Sequence, residues 1–181
     1  MMIKSKTITL LLAWLLLANP VLADVCQSVA VAITDGDTIK AYCQGKKVSI
    51  RLAAIDAPEK KQAYGKAAKD YLAALVQDKP LTIDIVDEDH YGRLVGNIFI
   101  DKVYINLQMV QSGYAWVYTD YQDAVAKGWL ENLLSAQIDA KKHKRRLWQD
   151  EKPKAPWHYR KHAKKPGRLG TLWNKLMKLF N

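Results

Sequence analysis

A chain of 181 residues, 49% of them hydrophobic, has the size of one domain with a sizeable core rather than of several. Its 28 Lys and Arg against 18 Asp and Glu give a formal charge of +10, which favours polyanionic partners over acidic ones. After the first two dozen residues, no segment is long and apolar enough to span a membrane.

Lys4 and Lys6 precede an apolar run over residues 8–18, and Val21-Leu22-Ala23 follows as a small-residue cleavage site. This pattern predicts a secretory signal peptide over residues 1–23, a mature chain from Asp24, and an exported protein, periplasmic or secreted. The alternative is an uncleaved membrane anchor, against which stands an apolar run shorter than the roughly 20 residues of a spanning helix. Cys26 and Cys43 are the two cysteines, and in an oxidising compartment such a pair persists as a disulfide. Two free buried thiols are the other reading. Metal binding by this pair alone is disfavoured, because two ligands without partners make a poor site.

Residues 28–34 are apolar and β-rich, and Asp35-Gly36-Asp37 breaks them as a turn. A second strand is expected over residues 38–43, a turn at Gln44-Gly45-Lys46, and a third strand over residues 48–55, together a meander. Pro58 ends it. A helix is predicted over residues 64–76, where Ala67, Ala68, Tyr71, Leu72 and Leu75 recur at helical spacing, and Pro80 stops it. Residues 81–86 alternate as a half-buried strand, an acidic loop leads to Tyr91-Gly92-Arg93, and residues 94–100 form a fifth strand. Short and long helices are expected over residues 106–111 and 123–142, the second with Trp129, Leu130, Leu133, Leu134 and Ile138 on its apolar face. Five short strands with a helix after the third predict an α+β fold, a five-stranded OB-type barrel with three helices.

The charge divides along the chain. Residues 24–140 carry 12 basic and 16 acidic side chains, whereas residues 141–181 carry 14 basic ones against Asp150 and Glu151. Lys152-Pro153-Lys154-Ala155-Pro156 reads as a linker. Residues 169–180 hold apolar side chains at helical spacing with Lys175 and Lys178 between them. The expected division is a signal peptide at 1–23, a domain at 24–149, and a basic tail with a short amphipathic helix at 150–181. The tail suits nucleic acid or an anionic membrane surface, or serves as a solvated solubility segment.

Cleaving a phosphodiester requires an activated nucleophile, neutralised phosphate charge and a stabilised leaving oxygen. Three segments supply such groups. Asp35-Gly36-Asp37-Thr38 places carboxylates on a turn, as a hard cation such as Ca²⁺ prefers, though alone it is simply a turn. Arg51 to Glu59 follows. Arg51 shares strand parity with Ala53 and Ile55, so a bulge or barrel curvature is needed to bring it to the barrel mouth. In isolation Arg51 reads as a surface salt bridge and Glu59 as a first-turn helix carboxylate. His90-Tyr91-Gly92-Arg93, alone, is a charged hairpin loop.

Taken together and in order, Asp35-Gly36-Asp37-Thr38, Arg51-Leu52 through Ile55-Asp56-Ala57-Pro58-Glu59, and Asp89-His90-Tyr91-Gly92-Arg93 resemble the staphylococcal nuclease (thermonuclease) family over about residues 28–149. The resemblance implies a calcium-dependent nuclease, a phosphodiesterase acting on DNA and/or RNA. It implies Asp37, Asp56 and the backbone carbonyl of Ala57 as Ca²⁺ ligands, with Asp35 acting through water. Glu59 would orient and deprotonate the attacking water, Arg51 and Arg93 would grip the phosphate, and Tyr91 would donate to a neighbouring phosphate. His90 stands where the best-known member has Lys, so a phosphate contact there becomes pH-dependent. Tyr118 and Tyr121 are candidates for base stacking, with core packing as the alternative for Tyr118 and Trp116. A monomer is expected. Two other readings remain: a barrel that binds nucleic acid without cutting it, and a carrier for a membrane-active tail.

Overall fold

The computed structural model describes residues 24–119, 125 and 127–163. The proposed signal peptide, Tyr121 and the amphipathic stretch at 169–180 lie outside the described residues. Apolar residues, alternating in β2, β3 and β5, build five principal strands, β1 (Asp24–Ile33), β2 (Thr38–Cys43), β3 (Lys46–Leu52), β5 (Pro80–Glu88) and β6 (Leu94–Ile100). The strands lie in the order β3-β2-β1-β5-β6, and β6 pairs back to β3, which closes the barrel. That closing pair is parallel, with Ile50 opposite Leu94, Arg51 opposite Val95 and Leu52 opposite Gly96. A bulge between Ala30 and Ala32 and another between Ile85 and Asp87 supply the bending that a small barrel needs.

Two further two-residue pairings matter for the site. β7 (Val103–Tyr104) pairs antiparallel with the end of β6, and β4 (Ile55–Asp56) pairs with β8 (Trp116–Val117) as a separate ribbon. Such short strands carry too little alternation to be read from the sequence. Among the described residues four α-helices pack around the barrel: α1 (Gly65–Val76), α2 (Ile105–Gln111), α3 (Lys127–Lys142) and α4 (Pro156–Ala163). A 3-10 turn at Arg146–Gln149 precedes the last.

Inward residues of both sheet and helices make the main core, with Ile39, Ile50, Leu52, Leu72, Ile83, Ile98, Met109 and Leu133 fully buried, and Ala140, Leu147 and Trp148 form a smaller cluster beside it. Helix α1 buries Gly65, Ala68, Leu72 and Val76, a 3-4-4 stripe. Ala67, expected inside, is exposed. On α3 the buried side runs through Leu133 to Ala140, whereas Leu134 and Ile138 are exposed. The apolar face read from the sequence is thus turned partly to solvent. Asn106 is fully buried at the start of α2. Its amide donates to the carbonyls of Ala53 (3.0 Å) and Gly96 (3.3 Å), and its oxygen accepts from Ile98 N–H (3.1 Å). These bonds fix α2 across the β3–β6 seam.

Cys26 and Cys43 form a disulfide, with Cα atoms 5.5 Å apart, beyond the paired part of the β1–β2 hairpin. The bridge spans a sequence separation of 17 and ties the chain's first strand to the end of β2. Replacing both cysteines by alanine is expected to lower unfolding free energy by ~2–4 kcal/mol, chiefly through the freer unfolded chain. Denaturant titration of the two proteins measures this. A loss below about 0.5 kcal/mol would show that the hairpin holds itself closed.

Candidate active site

Barrel closure brings the three sequence segments together. Thr38 at the start of β2 pairs with Arg51 of β3, and Arg51 pairs across the seam with Val95, two residues after Arg93. The turn before β2 is anchored by Leu52 N–H donating to the Asp37 carbonyl (2.8 Å). Gly36 lies so close to the next segment that a Cβ there would stand 2.7 Å from the Cβ atoms of both Ala57 and Ala68. A side chain at that position would push the Asp35–Asp37 turn away from Asp56 and Ala57.

The result is a cavity of about 510 Å³ lined by Asp35, Asp37, Arg51, Asp56, Ala57, Pro58, Glu59, His90, Tyr91, Arg93, Tyr118 and Arg160. Every described residue to which the resemblance gives a catalytic, metal or substrate role lines it. Arg51 is 5% exposed, so the surface salt-bridge reading is overturned. Its guanidinium donates to the Leu52 carbonyl (3.1 Å), lies 3.5 Å from Asp56 Oδ1, and sits 5.8 Å from the Tyr118 ring centroid. Glu59 precedes α1 by six residues, so it is not a first-turn helix carboxylate. It sits in an irregular loop instead, where its backbone N–H donates to Gln62 Oε1 (3.2 Å) and its carbonyl accepts from Gln62 N–H (2.7 Å).

Arg93 is held by Asp89, a motif residue without an expected role. Asp89 Oδ2 accepts from Arg93 Nε (2.8 Å), while its Oδ1 accepts from the backbone N–H groups of Tyr91 (2.9 Å) and Arg93 (3.0 Å). The loop is closed by Gly92 at φ 73°, a conformation glycine adopts without strain. Burial opposes the Asp89 charge, but these bonds from Arg93 and the loop amides outweigh it and hold the carboxyl below its usual range. The carboxylate therefore stays charged and aims the guanidinium. Arg93 also approaches Thr38 Oγ1 (3.4 Å), across the seam. Tyr91 is 68% exposed and the His90 ring leans on it at a tilt, centroids 3.9 Å apart, so both stand at the open rim. Tyr118 faces the cavity, positioned by its N–H donating to Ala54 (2.8 Å) next to the β4–β8 pair. Trp116 points elsewhere, against Trp148 (4.2 Å) and Trp157 (5.8 Å).

The carboxylates differ in their surroundings. For Asp37 burial favours the neutral acid, but the Arg51 charge and hydrogen bonds from Ala57 N–H (2.9 Å) and Thr38 Oγ1 (2.9 Å) prevail and lower its pKa. Asp35 is pushed up to about 7 by burial and by the neighbouring Asp37. Asp56 is raised to about 6 by burial, against the pull of Arg160 and Arg51. Asp35 and Asp56 thus lie above the unfolded value of 3.8, so the folded chain holds more protons than the unfolded one from about pH 4 to 7. Stability in calcium-free buffer is expected to rise by ~1–3 kcal/mol as pH falls from 8 to 5, and Asp35→Asn to flatten that slope. Asp37 and Asp89, held low, cost stability only at more acid pH. Thermal unfolding across this range tests the assignment, and an unchanged slope in Asp35→Asn would contradict it.

Residues 49–150 match the family described as staphylococcal nuclease homologue. The chain belongs to the staphylococcal nuclease family. It is 39% identical over 142 residues to an uncharacterized endonuclease of Escherichia coli O157:H7, a match covering 78% of this chain and 89% of that one. A micrococcal nuclease of Shigella flexneri is 33% identical over 159 residues, 83% of this chain and 88% of its own. A probable staphylococcal-like nuclease of Oryza sativa is 40% identical over 116 residues, which is 64% of this chain and 33% of that longer protein. The closed barrel with its helices is the OB-type fold expected, and the chain is an enzyme of the nuclease class, a phosphodiester hydrolase with a nucleic-acid substrate.

One residue of this nuclease site was not anticipated. Arg160 of α4 reaches back more than a hundred positions, with Nη1 at 3.1 Å and Nη2 at 2.8 Å from the two oxygens of Asp56, and Nη1 at 2.9 Å from Glu59 Oε1. Residues 150–163 are therefore not a free tail but pack on the domain. The signals in the sequence were faint: Pro156, suited to the first position of a helix, followed by Trp157 and Tyr159 within a basic stretch.

Proposed function

We propose that this nuclease is calcium-dependent, exported, and hydrolyses phosphodiester bonds of DNA and RNA by attack of an activated water. The observation that carries the reading is the convergence of Arg51, Arg93, Glu59 and two buried aspartates in one cavity. The donors on the aspartate side, namely the carboxylates of Asp37 and Asp56 and the Ala57 backbone, are all oxygen, which suits a hard cation. The desolvated Asp56 has already drawn a guanidinium, so this side of the cavity favours positive charge. Among the described residues no three acidic, His or Cys side chains form a preformed cage. Since Ca²⁺ takes roughly 6–8 oxygens, water and substrate phosphate would complete its shell, and weak binding that tightens with substrate follows. Bound there, calcium would supply positive charge to the phosphate oxygens.

The chain's own residues account for the rest. Arg51, buried and fixed by Leu52 and Asp56, and Arg93, fixed by Asp89, present planar, permanently charged forks to the phosphate. Their charge grows in value as negative charge accumulates in the transition state. Glu59, with a side chain 38% exposed at the cavity, takes a proton from water. Tyr118 and Tyr91 flank the phosphate position and suit bases or neighbouring phosphates of a flexible strand. Such contacts carry little base information, which supports action on both DNA and RNA. Export is supported by the disulfide, which persists in oxidising compartments.

The experiment is hydrolysis of single-stranded DNA and of RNA by the mature chain, in Ca²⁺, in Mg²⁺ and in chelator. Cleavage of both polymers in Ca²⁺ alone is expected. Undiminished cleavage in chelator would end the calcium reading, and cleavage of one polymer alone would end the dual-substrate reading.

A further inference from the structure

We infer that Arg160 is a positioning residue that completes the active site from outside the matched nuclease region, clamping Asp56 and Glu59 at a fixed separation. This rests on the nuclease reading above. The family match ends at residue 150, and α4 begins at Pro156.

Two features show that α4 is built into the site. First, it grips both elements that carry the clamped carboxylates. Trp157 packs against Trp116 (5.8 Å) and Tyr118 (5.4 Å), in and beside the strand β8 that pairs with β4 and so sets Asp56. On the other side, Gln62 donates to the Lys154 carbonyl and Tyr159 Oη donates to the Lys61 carbonyl (3.4 Å), in the loop that carries Glu59. Ala155 and Pro156 are buried beneath this contact. Second, the guanidinium geometry bridges. Two parallel bonds hold Asp56, and one of the same nitrogens reaches Glu59. Asp56 sits on a two-residue strand and Glu59 on a loop, so neither is fixed by extended regular structure. A planar fork spans both carboxylates where an ammonium, a point charge, cannot.

The clamp leaves the chemistry open. Arg160 takes Oε1 of Glu59 and both oxygens of Asp56, and the remaining lone pairs of the two carboxylates stay available to water or a cation. Arg160 therefore acts through Glu59 and Asp56 rather than on the phosphate.

The test uses the full mature chain with Arg160→Ala and Arg160→Lys. Both are expected to lower kcat by about 10- to 100-fold, the scale of a displaced catalytic group, with KM for single-stranded DNA changed less than threefold. Millimolar guanidinium is expected to restore part of the kcat of Arg160→Ala and none to wild type. In calcium-free buffer the same guanidinium is expected to raise the unfolding temperature of Arg160→Ala but not of wild type, because it fills a site that exists only in the variant. Arg160→Ala cutting as fast as wild type or faster would overturn the clamp and identify Arg160 as a plug. Absence of guanidinium-dependent stabilisation would overturn it equally. If Arg160→Ala does not fold, Arg160→Lys decides by the kcat criterion. Should wild type cut nothing, the nuclease reading fails by itself, and the unfolding measurement still decides the clamp.

Discussion

Glu59→Ala is expected to lower kcat on single-stranded DNA by about 10²–10⁴-fold, the range for loss of a general base. The fold has little reason to change. The side chain is 38% exposed, and the local structure is held by the Glu59 backbone and Gln62, both of which survive the substitution. Glu59→Gln sharpens the result. It keeps an oxygen for Arg160 to bond but cannot take a proton from water. A comparable loss in Glu59→Gln, with an unfolding temperature within a few degrees of wild type, assigns the effect to proton transfer. Activity of Glu59→Gln within tenfold of wild type would mean that Glu59 serves through its hydrogen bonds alone.

Arg51→Lys, conservative in charge, is expected to cost about 10²–10³-fold in kcat/KM. Arg51 is 5% exposed and its guanidinium meets the Leu52 carbonyl, Asp56 and the Tyr118 face at once. Lysine offers a compact ammonium that cannot reproduce the fork and loses more on burial. The Coulombic support of Asp37 would survive in part, because a positive charge remains nearby. The defect should therefore fall on phosphate recognition rather than on calcium affinity. Steady-state kinetics beside a calcium titration separates the two. Activity within tenfold of wild type would show that charge alone suffices at this position.

The sequence was most informative where local rules and global fold agree. The strands β2, β3 and β5 alternate in the register that the barrel uses, and Asp35-Gly36-Asp37 and Gly92 stand at turns that only small or turn-forming residues permit. The converging residues Asp37, Arg51, Asp56, Glu59 and Arg93 were legible because three modest motifs occur in order. How they converge was not: the parallel β3–β6 seam that sets Arg51 near Arg93 is a non-local pairing without a sequence signature. Burial also went unread. Parity alone gave Arg51 apolar neighbours, but whether it lay on the surface depended on the curvature of the closed sheet. The exposed Ile138 shows the same limit on α3, where helical spacing marks a stripe but not what covers it. Helix α4 escaped because it is eight residues long, basic, and docked through two aromatics and one arginine rather than an apolar face.

The most direct test of the central claim, that this cavity cuts phosphodiesters, is to follow binding and degradation of one labelled single-stranded DNA by wild type and Glu59→Ala in Ca²⁺. Binding by both, with rapid degradation by wild type and a loss of at least about a hundredfold in Glu59→Ala, is the predicted result. Binding by wild type without degradation under any divalent metal would contradict it and leave a barrel that holds nucleic acid without cutting it.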